Sequence, residues 1–188
     1  MITLEPVEYK HLSILKKWRN EPDVRDFCRQ PYLLSDVIQE EWFKSITKTR
    51  DMIAFIVCDK ALGNGKEWVG YAALSNIDHI GGKAEVSYFT SPEWRGKGYG
   101  ESAIFQLCYY AFYDLGLQKV YSDTFDYNMP EIKLNLNAGF AQSGVNPRHY
   151  FKRGQYIGSV SMYMLREMFD ERYKEQLKLV KYAESKPL

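Results

Sequence analysis

Ser91-Pro92-Glu93-Trp94-Arg95-Gly96-Lys97-Gly98-Tyr99-Gly100 decides the fold, because it stands between a run with strand chemistry and a long run with helical spacing. Three alternating glycines let the backbone come close to a ligand and turn successive N–H groups outward, and the helix that follows adds the positive end of its dipole. Arg95 and Lys97 bring positive charge to the same spot. Together these features make a phosphate cradle, and two cations suit a pyrophosphate better than a monocarboxylate. A plain turn would need fewer of them.

Two other glycine loops share part of this spelling. Gly98-x-Gly100-x-x-Ala103, with Asp123 about twenty residues on, fits the dinucleotide-binding fingerprint. Context opposes it, since the loop follows an apparent antiparallel meander and the remaining chain is too short for several parallel strands. A kinase-type loop would need an H-R-D or D-F-G set downstream, and the sequence has neither.

Upstream of the loop, residues 52–58, 68–77 and 84–90 read as strands joined by Gly63-Asn64-Gly65 and Gly81-Gly82, short joins that favour antiparallel pairing. Before them, Leu12, Leu15 and Trp18 recur at helical spacing over 10–20, and Pro22 stops that helix. Ser35 caps a second helix with Ile38, Trp42 and Ile46 on one face. On this reading two helices precede any sheet. Downstream, Ile104, Leu107, Cys108, Ala111 and Phe112 form a helical stripe ending at Leu115-Gly116. A strand over 119–125, a helix over 130–138 closed by Gly139, strands over 140–145 and 155–165, and a helix over 167–182 complete the order. The expectation is an α/β fold with a mixed, mostly antiparallel sheet and helices on both faces.

The chain has 188 residues, the size of one compact domain, with 45% hydrophobic and 26% charged residues. Its net charge of +1 supplies no global field toward nucleic acid or an anionic membrane, so neither is an expected partner. Cys28, Cys58 and Cys108 lack C-x-x-C spacing and lie among apolar neighbours, which reads as three buried free thiols and no metal. Neither a basic segment followed by an apolar run at the N-terminus nor a stretch of ~20 apolar residues is present, so the expected location is the cytoplasm.

Arg95-x-x-Gly98-x-Gly100 resembles the R/Q-x-x-G-x-G/A signature of the GNAT acetyltransferases, and the flanks agree. Residues 84–89 look like that family's fourth strand, and Asn128, Ile132-Lys133-Leu134 and Ala138-Gly139-Phe140 look like its later element. Trp18-Arg19-Asn20 with Val24-Arg25 resembles the start of the branch holding ribosomal-protein N-terminal, polyamine and nucleotide-amino-sugar acetyltransferases. The resemblance covers roughly residues 2–166, giving an acetyltransferase domain over 1–166 and a helical extension of the same domain, a packing or dimer helix, over 167–188. It implies a sheet splayed beside the fourth strand and acetyl-coenzyme A as cosubstrate. Phe89, Thr90, residues 95–100 (Arg95, Gly96, Lys97, Gly98, Tyr99 and Gly100) and Asn128 would hold the cofactor.

An amine attacks a thioester only when unprotonated, so the site needs a base, and the departing thiolate benefits from a donor. Glu85, in the strand that should flank the acetyl group, is the first candidate base, with a structural carboxylate as the alternative. Asp123, Asp126, His79 and His149 are lesser candidates. Many family members place a Tyr after the position of Leu134 to protonate the sulfur; here that residue is Asn135, which could donate a hydrogen bond, or Tyr127 or Tyr150 could substitute. Trp18, Arg19, Asn20 and Arg25 resemble the acceptor side, where an Arg pair could grip phosphates, and Tyr71 and Tyr88 are candidates to line the acceptor pocket; Trp18 could equally be core. The leading expectation is acetylation of a small primary amine, a nucleotide-linked amino sugar, with a second copy of the chain, in a homodimer, as a candidate partner. A protein N-terminus, a polyamine or a non-catalytic coenzyme A sensor are the alternatives. A polyamine site should show an acidic cluster, and no such cluster is visible along the sequence.

Overall fold

The computed structural model describes residues 2–61 and 67–184, so the Gly63-Asn64-Gly65 join lies outside the described residues. Seven strands form one sheet in the order β1-β2-β3-β4-β5-β7-β6: β1 (Ile2–Pro6), β2 (Ile53–Asp59), β3 (Glu67–Asp78), β4 (Lys83–Thr90), β5 (Lys119–Phe125), β6 (Ala141–Lys152) and β7 (Gln155–Leu165). All neighbouring pairs are antiparallel except β4 with β5. The helices are α1 (Leu12–Asn20), α2 (Pro22–Arg25), α3 (Asp36–Ile46), α4 (Tyr99–Tyr109), α5 (Met129–Asn137), α6 (Arg166–Arg172) and α7 (Lys174–Glu184).

Strand periodicity builds two cores. On β2, Ala54, Ile56 and Cys58 face one way with Tyr71 and Ala73 of β3, against Leu12, Leu15 and Trp18 of the first helical layer. Phe55 and Val57 face the other way with Leu74 of β3, Val86 of β4 and Val120 of β5, against Ile104, Leu107 and Phe112. A sheet covered on both faces is the layered α/β arrangement that the element order implies. Phe169, Tyr173 and Leu177 from the C-terminal helices close the second core, at 0%, 3% and 6% exposure.

Four local readings need correction. A strand, β1, precedes the helices; it is only five residues long, carries Pro6 and pairs on one side with β2, too little pattern to read from sequence. Strand β6 runs twelve residues rather than ending at Val145; it escaped notice because two register shifts, Pro147 and a positive φ at Arg148 interrupt its alternation. The tail helix breaks at Tyr173, whose φ of −112° and ψ of 24° leave the helical region, which gives α6 and α7. Cys58 and Cys108 are buried, but Cys28 is only half-buried. Pro22 follows the end of α1 at Asn20, as expected, and also starts α2 at its first turn, where a missing N–H costs nothing.

The sheet's decisive irregularity lies at its centre. Strands β4 and β5 pair through Lys83↔Lys119, Ala84↔Val120 and Glu85↔Tyr121 and no further, while β4 stays paired with β3 to Thr90 and β5 with β7 to Phe125. Beyond Glu85 the two strands therefore diverge and leave two free edges facing one gap. Gly70 on β3 makes the neighbouring approach close, since a Cβ there would stand 2.4 Å from the Phe89 carbonyl oxygen.

Trp18 is 2% exposed and packs edge-on against Phe89 at 6.2 Å between ring centroids. Truncating such a residue leaves a large void, so Trp18→Ala should lower stability by about 3–5 kcal/mol in urea unfolding.

Candidate active site

The gap between β4 and β5 opens into a cleft of about 770 Å³, walled by residues 86–90 on one side and 122–125 on the other. Gly96, Gly98, Gly100, Arg95 and Tyr99 stand at one end, and Asn128, Glu131 and Leu134 of α5 stand along it. Gly96 and Gly98 adopt φ of +74° and +81°, left-handed values that a side chain would strain, with open space where a Cβ would go. Gly98 is also the cap of α4 and offers no side-chain acceptor, so the first-turn N–H groups remain available to an anion. Gly100 serves packing instead: a Cβ there would meet Leu134 at 2.7 Å. Arg95 rests against Asp23, with its guanidinium donating to the Asp23 carbonyl at 3.3 Å, and the Lys97 ammonium lies over the Trp94 ring at 4.1 Å. The cradle fits a pyrophosphate, and the free strand edges fit a chain of amides such as pantetheine.

Three carboxylates far apart in sequence line the same cleft. Glu85, 5% exposed, accepts from Arg29 on one oxygen and from the Asn76 amide at 2.9 Å on the other. Asp123 accepts from Tyr150 at 2.5 Å, Ser159 at 2.8 Å and Ser161 at 3.0 Å. Burial alone would raise its carboxyl, but those hydrogen bonds and the Arg29 charge together hold it below the ordinary value, so it stays an anion. Arg29 also donates to the Asp123 carbonyl at 2.8 Å, just past the last β4–β5 pair. Glu131 is held differently: it occupies the third position of α5, and the Asn128 amide donates to it at 2.5 Å while Asn128 caps its N–H. Burial pushes its carboxyl from 4.5 up to about 7, against the opposing pull of the Thr124 hydroxyl and the Arg29 charge.

The remaining expected residues divide. Tyr88, Phe89, Thr90, Arg19 and Tyr71 line the cleft. Asn135 does not; it is 0% exposed, accepting from the Tyr88 hydroxyl at 2.9 Å and donating to Ser122 at 3.1 Å, so its amide joins α5 to both strands behind the cleft. Tyr127 is exposed and donates to the Asp26 carbonyl at 2.6 Å, and Tyr150 is engaged by Asp123. Trp18 is core rather than a stacking surface, and Asn20 is structural, bonding both the Leu34 N–H and carbonyl. Arg25 does not line the cleft, so the expected Arg19–Arg25 pair does not form there; Arg19, which donates to Gln30, shares the cleft with Arg29 and Arg95. Arg29 and Glu131 also line the cleft, though neither stands out in the sequence. Arg29 lies in an irregular segment without periodicity, whereas Asn128-x-x-Glu131 is a legible capping pattern that hid a cleft residue.

A model of the acetyltransferase (GNAT) domain matches residues 1–141. The chain belongs to the GNAT acetyltransferase family. The spermidine N(1)-acetyltransferase of Escherichia coli (strain K12) is 25% identical over 174 residues, spanning 92% of this chain and 90% of that protein. An uncharacterized prophage-derived N-acetyltransferase of Bacillus subtilis (strain 168) is 31% identical over 130 residues, 69% of this chain and 71% of its own. Among solved structures, the spermidine N-acetyltransferase from Vibrio cholerae in complex with CoA and spermine superposes with a TM-score of 0.83 at 25% identity, covering 89% of this chain and 97% of that one. The chain is thus an acetyl-CoA-dependent N-acetyltransferase with the mixed, splayed sheet expected of the family. The preference for the amino-sugar members of the branch is not supported, since these relatives are named for polyamine substrates or for none.

Because Glu131 holds a proton in the folded state that the unfolded chain has already lost between pH 4.5 and about 7, stability falls as pH rises through that window and stays lower above it. Glu131→Gln should remove this penalty: the variant gains on the order of 2 kcal/mol over wild type at pH 8 and almost nothing at pH 4, in denaturant titrations at the two pH values.

Proposed function

We propose that this enzyme acetylates a polyamine or a similarly polycationic small amine, using acetyl-CoA in a ternary complex. The observation that carries this reading is that Glu85, Asp123 and Glu131, from β4, β5 and α5, all line the one cleft that also holds the phosphate cradle. Residues 38 and 8 positions apart form an acidic well that the linear sequence could not display. Arg29 neutralises only part of it, leaving net negative charge in a partly desolvated pocket, where an ammonium gains far more than in water. Among the described residues no set of His, Cys, Asp or Glu is placed to hold a metal ion, so the well is not read as a cation site of that kind. The spermidine acetyltransferases to which the chain is similar support the same choice. A nucleotide-linked sugar is the weaker reading, because its diphosphate would have to share the cleft with these carboxylates.

Thermal unfolding with acetyl-CoA, CoA and NADH separates the cofactor classes. At a hundredfold excess over Kd, the two CoA ligands should raise Tm by about 5–10 °C and NADH by nothing. The rise should vanish in the Arg95→Ala, Gly98→Ala double variant. In a thiol-release assay, spermidine or spermine should exceed a UDP-linked amino sugar by roughly a hundredfold or more in kcat/KM, and that advantage should shrink as salt rises. Equal turnover of the sugar would overturn the acceptor assignment.

A further inference from the structure

We propose that Glu131 is the general base of this enzyme, the group that takes the proton from the substrate ammonium before the amine attacks. The three carboxylates of the well are not equivalent. Glu85 has both oxygens engaged, one by the Arg29 guanidinium and one by the Asn76 amide. Asp123 receives three hydroxyl hydrogen bonds across both oxygens. Accepting a proton would cost either of them bonds that hold β4, β5 and the β6–β7 hairpin together. Glu131 makes no ion pair among the described residues; its carboxylate accepts from the Asn128 amide, a neutral donor that does not need the charge.

Its position fits the task. Glu131, at the first turn of α5, lines the same cleft as residues 86–90 and 122–125, the strands that would border an inserted thioester arm. The polar and titratable groups around it are Glu85 and Tyr88 from β4, Thr124 from β5, Cys28 and Arg29 from the segment after α2, and Asn128 of its own element. Burial leads that balance, which leaves Glu131 half-ionised near neutral pH, where a proton acceptor is most effective. Tyr88 and Cys28 are pushed up by burial and stay protonated, so they do not compete for the role. The chemistry balances as follows. The ammonium gives one proton to Glu131, and the neutral amine attacks the thioester carbonyl carbon. The new C–N bond forms as the C–S bond breaks, and the second proton on nitrogen passes to the departing thiolate. Glu131 then returns its proton to water.

This role rests on the acceptor reading above for the choice of amine, so the experiment uses a panel: spermidine, spermine, a monoamine and a UDP-linked amino sugar. With the best acceptor, wild-type kcat/KM should rise with unit slope and bend near pH 7. Glu131→Gln should lose roughly a hundredfold or more in kcat at pH 7, lack the bend, and regain rate steadily toward high pH as free amine accumulates. Its Tm rise with acetyl-CoA should match wild type, which separates lost proton transfer from lost binding. Should the glutamine variant fail to fold, Glu131→Asp replaces it: a lower kcat with the bend retained supports the role, and an unchanged kcat overturns it. If wild type acetylates no amine in the panel, the acceptor reading falls and this role with it. If wild type prefers the sugar, only the acceptor reading falls and the same comparison is made with that amine. An active wild type matched by Glu131→Gln in rate and profile overturns the role of Glu131 alone.

Discussion

Everything functional here depends on a ladder that stops early. Strands β4 and β5 run parallel for three residue pairs and then part, while each keeps its outer partner to its end. A sheet interior normally satisfies every backbone N–H and C=O, so an opening of this kind leaves polar groups that call for another partner. The structure answers in two ways. Arg29 reaches from the segment after α2 to the Asp123 carbonyl and Glu85, at the root of the divergence. Further along, the edges stand bare beside a cleft, and an amide-bearing arm laid between them would complete the hydrogen bonding that the strands forgo.

The same divergence sets the electrostatics. Residues at the root belong to different elements, and splaying brings their side chains to one cavity instead of pairing their backbones. Hence Glu85 from β4, Asp123 from β5 and Glu131 from α5 share one pocket, with Arg29 paired to Glu85. Each carboxylate is treated differently by its surroundings: ion-paired, held below the ordinary carboxyl value by hydrogen bonds and a nearby charge, or desolvated so that it keeps its proton up to near-neutral pH. Dissimilar environments for similar groups are what allow one pocket both to attract a cation and to take its proton.

The fold was largely legible because the informative features are local. Alternation on β2 and β3, the stripe from Ile104 to Phe112 and the glycines at 96 and 98 each specify their own conformation. What stayed hidden depends on distance. Strand β1 is too short to show a pattern and exists because β2 offers it an edge. Strand β6 is bent by irregular register, and only its partner β7 defines it. Trp18 and Asn135 carried motif positions that suggest chemistry, yet local sequence cannot tell a side chain facing a ligand from one facing the interior; both turn inward. Arg29 could not be found at all, since its meaning lies in contacts 56 and 94 residues away.

Asn135 shows how such a site can depart from its family's pattern without losing coherence. A tyrosine there would carry a hydroxyl from α5 toward the cleft. In this chain the hydroxyl comes from the opposite wall: Tyr88 of β4 donates to Asn135, and Asn135 donates onward to Ser122 of β5. The substitution removes a donor from the helix and converts the position into a brace between the two diverging strands. A buried amide with partners on each side ties the two diverging strands to α5, and its hydrogen bonds would be lost if that spacing changed.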